Sequence, residues 1–203
     1  MKKKDEKNGF YLNIVFLGDE GVGKSKYLNS FINNKLVNME DSLLGINMEE
    51  KEYIINYKQK GILNLIDTAG QDKFKGITKN FYEKGDGFII FSSFLIKESI
   101  KSIFDWIENI YQYKPKELPI LNVIVDGDKV EQETKDSIID EMLNYIISRG
   151  CSNSEFYYIE CNYNIDDINK CFKNYIIEIL DFQKFNKMKK KINTNICFLT
   201  NKR

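Results

Sequence analysis

Gly18-Asp19-Glu20-Gly21-Val22-Gly23-Lys24-Ser25 stands between an apolar, strand-like run and a helix-forming one, and it fits the spacing G-x-x-x-x-G-K-[ST]. Its glycines let the backbone turn tightly enough for several N–H groups to converge on one anion. Lys24 adds a point charge there, and the helix that follows offers its positive N-terminal end to the same anion. Ser25 is then placed to hold a magnesium ion. A glycine-rich turn that binds nothing would need neither the lysine nor the hydroxyl, and both flanks agree with a phosphate loop.

Upstream, Tyr11-Leu12-Asn13-Ile14-Val15-Phe16-Leu17 is a nearly continuous apolar run, as expected of a strand buried on both faces of a parallel sheet. Downstream, Leu28, Phe31 and Ile32 recur at helical spacing until Asn33-Asn34 ends the helix. Residues 35–46 carry little periodicity and read as an exposed loop around Gly45. Strands are expected over 48–58 and 62–66, with a polar turn ending at Gly61 between them. The second runs into Asp67-Thr68-Ala69-Gly70-Gln71. An acidic residue at the C-terminal end of an apolar strand lies where open α/β sheets gather ligand-facing groups, so Asp67 is placed to reach the magnesium region beside Ser25.

After a polar stretch, a buried strand is expected at Gly87 to Phe91 and an amphipathic helix at Ile96 to Tyr111, with Trp106 read as core. Ile120 to Val125 is a further strand, followed by Asp126-Gly127-Asp128-Lys129-Val130-Glu131. Thr134 to Ser148 is helical and stopped by Gly150. A short strand over Phe156 to Ile159 and a last helix over Ile165 to Phe182 complete the pattern. The alternation implies an α/β fold of the P-loop NTPase type: a mostly parallel six-stranded sheet, helices on both faces and one antiparallel edge strand.

Composition narrows the chemistry. The 203 residues suit one domain over 10–182, with a charged arm over 1–9 and a basic tail over 183–203. Thirty basic and thirty acidic residues cancel, so no overall field draws nucleic acid. Cys151, Cys161, Cys171 and Cys197 show none of the paired spacings of zinc sites and read as reduced. No stretch approaches the roughly 18 consecutive apolar residues that a spanning helix needs. Histidine is absent, which excludes Ser-His and Cys-His nucleophile pairs. The only arginines are Arg149 and Arg203, and neither is near a motif. An arginine for phosphoryl transfer would have to come from a partner.

Over residues 10–182 the chain resembles the Ras superfamily of small GTPases, and within it the Rab branch. The resemblance rests on the phosphate loop, on Asp67-Thr68-Ala69-Gly70-Gln71-Asp72-Lys73-Phe74 against D-T-A-G-Q-E-R-F, and on Glu98-Ser99 followed by Trp106. It implies that Glu20, Gly21, Val22, Gly23, Lys24, Ser25 and the Gly70 N–H surround the phosphates of GTP or GDP. Ser25 and Asp67 would serve Mg2+, and Gln71 would orient the attacking water. Leu43, Glu20, Leu36 and the base-side motif depart from the pattern. Leu43 stands where relatives have the switch threonine, leaving neighbouring Ser42 or water to serve the metal. Glu20 occupies a position that is small in most relatives, and Leu36 stands for an aromatic that shields the base.

In place of N-K-x-D the chain has Asp128-Lys129-Val130-Glu131, with Glu131 as the base-reading carboxylate and the stem of Lys129 against the base. A register ending in Asp128 itself is the alternative. The S-A-K loop appears as Cys161-Asn162-Tyr163, whose backbone could meet the guanine oxygen. The terminus lacks the cysteine pair or C-a-a-X box of prenylated relatives. The basic cluster Lys187, Lys189, Lys190 and Lys191 reads as part of a solvated, disordered tail, with reversible peripheral contact with an anionic membrane as the alternative and acylation of Cys197 as a further option.

The resemblance implies a monomeric, cytoplasmic switch, peripheral on intracellular membranes in vesicle trafficking. An effector, an exchange factor and an arginine-supplying activating protein would be its partners. Loops at 36–48 and 67–83 would order on the γ-phosphate. The altered positions suggest a different class as well, a nucleotide-binding interaction module that does not switch. A small-molecule kinase would share the loop, but it usually brings arginines to its acceptor.

Overall fold

Apolar side chains on both faces put β1 (Gly9–Gly18) in the interior of the sheet: Leu12, Ile14 and Phe16 enter one core, Val15 and Leu17 the other. The computed structural model describes residues 9–36, 47–57, 59–68, 75–148, 158–161 and 164–200, with backbone alone at 75–78, 146, 161 and 190–200. The remaining elements are α1 (Lys24–Asn33), β2 (Asn47–Asn56), β3 (Gln59–Asp67), α2 (Lys75–Lys84), β4 (Gly87–Ser93), α3 (Lys97–Tyr111), β5 (Ile120–Val125), α4 (Gln132–Ser148), β6 (Tyr158–Cys161) and α5 (Ile165–Thr200). Strand order is β2-β3-β1-β4-β5-β6. Every pair is parallel except β2 with β3, so β2 is the expected antiparallel edge strand.

Helices cover both faces. Tyr27, Leu28 and Phe31 of α1 pack with Ile168, Phe172, Ile176 and Ile179 of α5 against Phe16, Leu65 and Phe91. The Phe31 and Phe172 rings stack with centroids 3.8 Å apart. On the other face, Ile100, Ile103 and Ile110 of α3 join Ile138 and Met142 of α4 over Val15, Phe88 and Ile90. From β1 the chain passes to β2 and β3 on one side of it, and then crosses from β3 to β4 on the other. The order therefore reverses at the C-terminal end of β1, which is where an open α/β sheet forms its ligand crevice. Among the described residues no helix is long and apolar enough to cross a membrane.

Three expectations are corrected. Gly61 does not end a turn: it lies inside β3, opposite Tyr53 of β2 and Phe10 of β1. A Cβ there would sit 2.2 Å from the Phe10 carbonyl oxygen and 2.6 Å from its ring, so glycine marks a close approach. The strand pair closes instead at Asn56 and Gln59, where Asn56 Oδ1 accepts from the Gln59 N–H at 3.1 Å. Second, α2 occupies part of the segment read as a loop over 67–83. Third, α5 does not stop at Phe182 or yield to a disordered tail. No glycine or proline interrupts 165–200, and the helix runs to Thr200, with Phe185 and Met188 exposed. The strand expected from Phe156 is described only from Tyr158.

Candidate functional site

The phosphate loop folds as it does because its glycines occupy backbone conformations that other residues rarely adopt. Gly18, Gly21 and Gly23 have φ of 130°, 80° and 84°. Gly18 also lies against β4: a Cβ there would be 2.2 Å from the Phe91 carbonyl oxygen. Gly23 is the N-cap of α1 and makes no side-chain cap hydrogen bond to the first-turn amides, which leaves the positive end of the helix to an anion.

Lys24 begins α1 and is 6% exposed. Its Nζ donates to the carbonyl oxygens of Gly18, at 2.8 Å, and Asp19, at 2.6 Å. Burial pulls its ammonium down to about 8, against the opposing pull of Asp67, Asp19 and Glu20. Across the crevice, Asp67 at the end of β3 is 2% exposed. Its Oδ2 accepts from Ser25 Oγ at 2.6 Å. Its Oδ1 has no hydrogen-bond partner among the described residues. Burial raises the Asp67 pKa, and the Ser25 hydrogen bond and the Lys24 charge lower it. Thr68 fixes the strand end by donating from Oγ1 to the Phe16 carbonyl at 2.7 Å.

A buried carboxylate oxygen without a partner, next to a serine hydroxyl, is a hard-oxygen donor pair, and it fits a magnesium ion that keeps several waters and shares phosphate oxygens. Ser25 and Asp67 would hold it, and such an ion supplies charge neutralisation on a polyphosphate.

The base-side motif is arranged differently from the expectation. Gly127–Lys129 is a single 3-10 turn after β5, entered through Asp126 in the left-handed region at φ 63°. That conformation is held by side-chain bonds: Ser93 Oγ donates to Asp126 Oδ2 at 2.5 Å and Lys129 Nζ to Oδ1 at 2.6 Å. The Lys129 side chain, 53% exposed, is thus turned back on Asp126. Asp128 and Glu131 are both exposed. Cys161 ends β6 opposite Val125, which places its backbone beside the start of the turn. Glu160 packs on Gly127, with Oε1 only 2.0 Å from where a Cβ would stand, and pairs with Lys135 at 3.3 Å.

Glu20 and Gly21 are exposed at the loop apex, while Val22 is buried in the core. Gly70, Gln71, Ser42 and Asn162, with Leu43, lie outside the described residues. Sequence reasoning missed Asp126, Ser93, Glu160 and the contact of Trp106 with the loop. Of these, only Asp126 had a signal, its place directly after a buried strand.

A lysine and serine opening a helix after β1, facing an aspartate at the end of β3 across a reversal of strand order, define a P-loop nucleotide-binding fold. The chain belongs to the Ras family, whose sequence profile matches residues 13–181. It is a small GTPase of the Rab-like kind. It is similar to Ras-related protein RABC1 of Arabidopsis thaliana, 25% identical over 85% of this chain and 78% of that one. A probable Rab-related GTPase of Acanthamoeba polyphaga mimivirus is 31% identical over 54% of this chain and 50% of its own. A Ras and EF-hand domain-containing protein homolog of Mus musculus is 29% identical over 61% of this chain, but the match spans only 19% of that protein. Ras family proteins generally bind GTP, GDP and Mg2+.

Proposed function

We propose that this chain is a divergent Rab-like switch that binds GTP and GDP with magnesium and hydrolyses GTP slowly. The observation that carries the reading is the cluster of Lys24, Ser25 and Asp67, with one buried carboxylate oxygen left over. Lys24 and the loop amides would hold the β- and γ-phosphates. Gly70 would touch the γ-phosphate and Gln71 would orient the attacking water. Asp128 or Glu131 would read the guanine, with Lys129 and the Cys161-Asn162 backbone beside it, and Ser42 would stand in for the switch threonine. Because neither arginine of the sequence stands near a motif, an activating protein would supply one, a contribution of roughly 10³–10⁵ in rate. Partners of this kind, with an effector and an exchange factor, suit a role in vesicle trafficking. Exposed Phe185 and Met188 among the lysines of α5 suit peripheral membrane contact.

Glu20 at the exposed apex of the loop favours a second reading, a module that binds nucleotide without switching. Equilibrium binding of GTP, GDP and ATP, with and without a magnesium chelator, separates them. The switch prefers guanine nucleotides and loses affinity when magnesium is removed; equal, magnesium-blind binding of GTP and GDP supports the static module.

The buried lysine also sets a pH dependence. Its amine, near 8 without an anion, regains its charge beside a polyphosphate. Below pH 8 both states carry the proton and affinity is greatest. As pH rises above 8 the nucleotide-free lysine is neutral first, so binding takes up a proton and weakens. Calorimetry at pH 8.5 in two buffers of different ionisation heat should register that uptake. The same depression means that this group's contribution to the stability of the nucleotide-free fold rises between about pH 8 and the usual lysine range.

A further inference from the structure

Trp106 does more than fill the core. It lies on α3, half-buried against the cluster of Val15, Phe88 and Ile103, and its indole Nε1 donates to Asp19 Oδ1 at 3.1 Å. Asp19 is the second residue of the phosphate loop, and its own carbonyl oxygen accepts from Lys24. One residue thus joins the anion-binding lysine through its backbone and α3 through its side chain. The loop carries two neighbouring carboxylates, Asp19 and Glu20, around a site suited to a polyanion. Like charges that close cost binding energy unless they are held off and compensated.

We propose that Trp106 is a positioning residue for the phosphate loop: its indole N–H holds the Asp19 carboxylate on the α3 side, away from the bound phosphates. The support is firm. The Ser99 hydroxyl accepts from the Ser93 N–H at 3.0 Å and donates to the Ile96 carbonyl at 2.6 Å, pinning the start of α3. Ile96 Cδ1 lies 3.6 Å from where a Cβ of residue 21 would stand, so α3 abuts the loop at a second point. The proposal rests on the nucleotide-binding reading above, and its partner chemistry is the triphosphate of the nucleotide.

The test compares Trp106→Phe, Asp19→Asn and the double variant. Phenylalanine keeps an aromatic ring and loses the N–H, freeing the carboxylate. GTP affinity should fall about tenfold, as for loss of one hydrogen bond to a charged group, and GDP affinity by less. In the double variant the charge is gone, and GTP should bind as tightly as it does to Asp19→Asn alone; mere damage to packing would not be rescued. A Trp106→Phe chain that binds GTP like wild type, or a loss that Asp19→Asn does not rescue, overturns the proposal.

Trp106 is the only tryptophan, so a nucleotide-free readout exists as well. Asp19→Ala, which removes the acceptor, should shift its emission, and an unchanged spectrum contradicts the contact. Failure of the wild-type chain to bind any nucleotide would instead contradict the functional reading, and is seen in the same titration.

Discussion

Lys24→Met is expected to remove most of the nucleotide-dependent stabilisation while leaving the nucleotide-free protein about as stable as wild type. Two opposed effects make the free protein insensitive. Burial holds the ammonium down to about 8, which sets roughly 3 kcal/mol against keeping it charged. The same amine satisfies the carbonyls of Gly18 and Asp19, each bond worth about 1 kcal/mol. Removing all of this leaves little net change. Binding has no such cancellation, since loss of charge-assisted bonds to phosphate costs roughly a hundredfold in affinity or more. A ligand at about a thousandfold its dissociation constant stabilises by about 4 kcal/mol. For a domain of this size that raises the unfolding midpoint by roughly 10 °C. Thermal unfolding with and without GTP and magnesium should show that rise in wild type and at most about a third of it in Lys24→Met. A variant as strongly stabilised by GTP as wild type would remove Lys24 from the site.

Gly18→Ala carries the second large effect, and it acts on folding rather than on chemistry. Position 18 combines a φ of 130° with a Cβ site 2.2 Å from the backbone oxygen of Phe91. The backbone conformation costs an alanine about 1–2 kcal/mol, and the overlap forces β1 and β4 apart at about 1–3 kcal/mol more. The sum lowers the unfolding midpoint by roughly 10 °C. Gly21→Ala is the matched comparison. Its φ is 80°, but the nearest atom is Ile96 Cδ1 at 3.6 Å, ordinary van der Waals contact. It should lose only about 1–2 kcal/mol. Thermal denaturation of both variants without nucleotide checks this, and equal losses would show that the approach of Phe91 does not matter.

The parts of the fold that sequence reasoning recovered are those where one local signal and the tertiary structure agree. The run from Leu12 to Leu17, the glycines of the loop, the helical spacing of Leu28 and Phe31, and the aspartate ending β3 each report on the element that contains them. The errors arise where a residue serves something distant. Gly61 looks like turn punctuation but is required by Phe10 on a neighbouring strand. In α2, Gly76 and a run of polar residues obscure a short helix whose Tyr82 meets Phe88 across the core. The extension of α5 past Phe182 has no core-facing pattern to announce it, and only the lack of a breaker allows it.

The candidate site divides in the same way. Lys24, Ser25 and Asp67 were legible because their spacing encodes their meeting. Trp106 and Asp19 are 87 positions apart, and no local pattern links them. At the base side, the positive φ of Asp126 depends on Ser93 and Lys129 together, a dependence that appears only once β4 and β5 lie side by side.

The most direct test of guanine-nucleotide binding is to purify the chain without added ligand, denature it and identify what is released. About one guanosine di- or triphosphate per chain is the expected result. Release of an adenine nucleotide, or of none together with no uptake of GTP and magnesium afterwards, would contradict it.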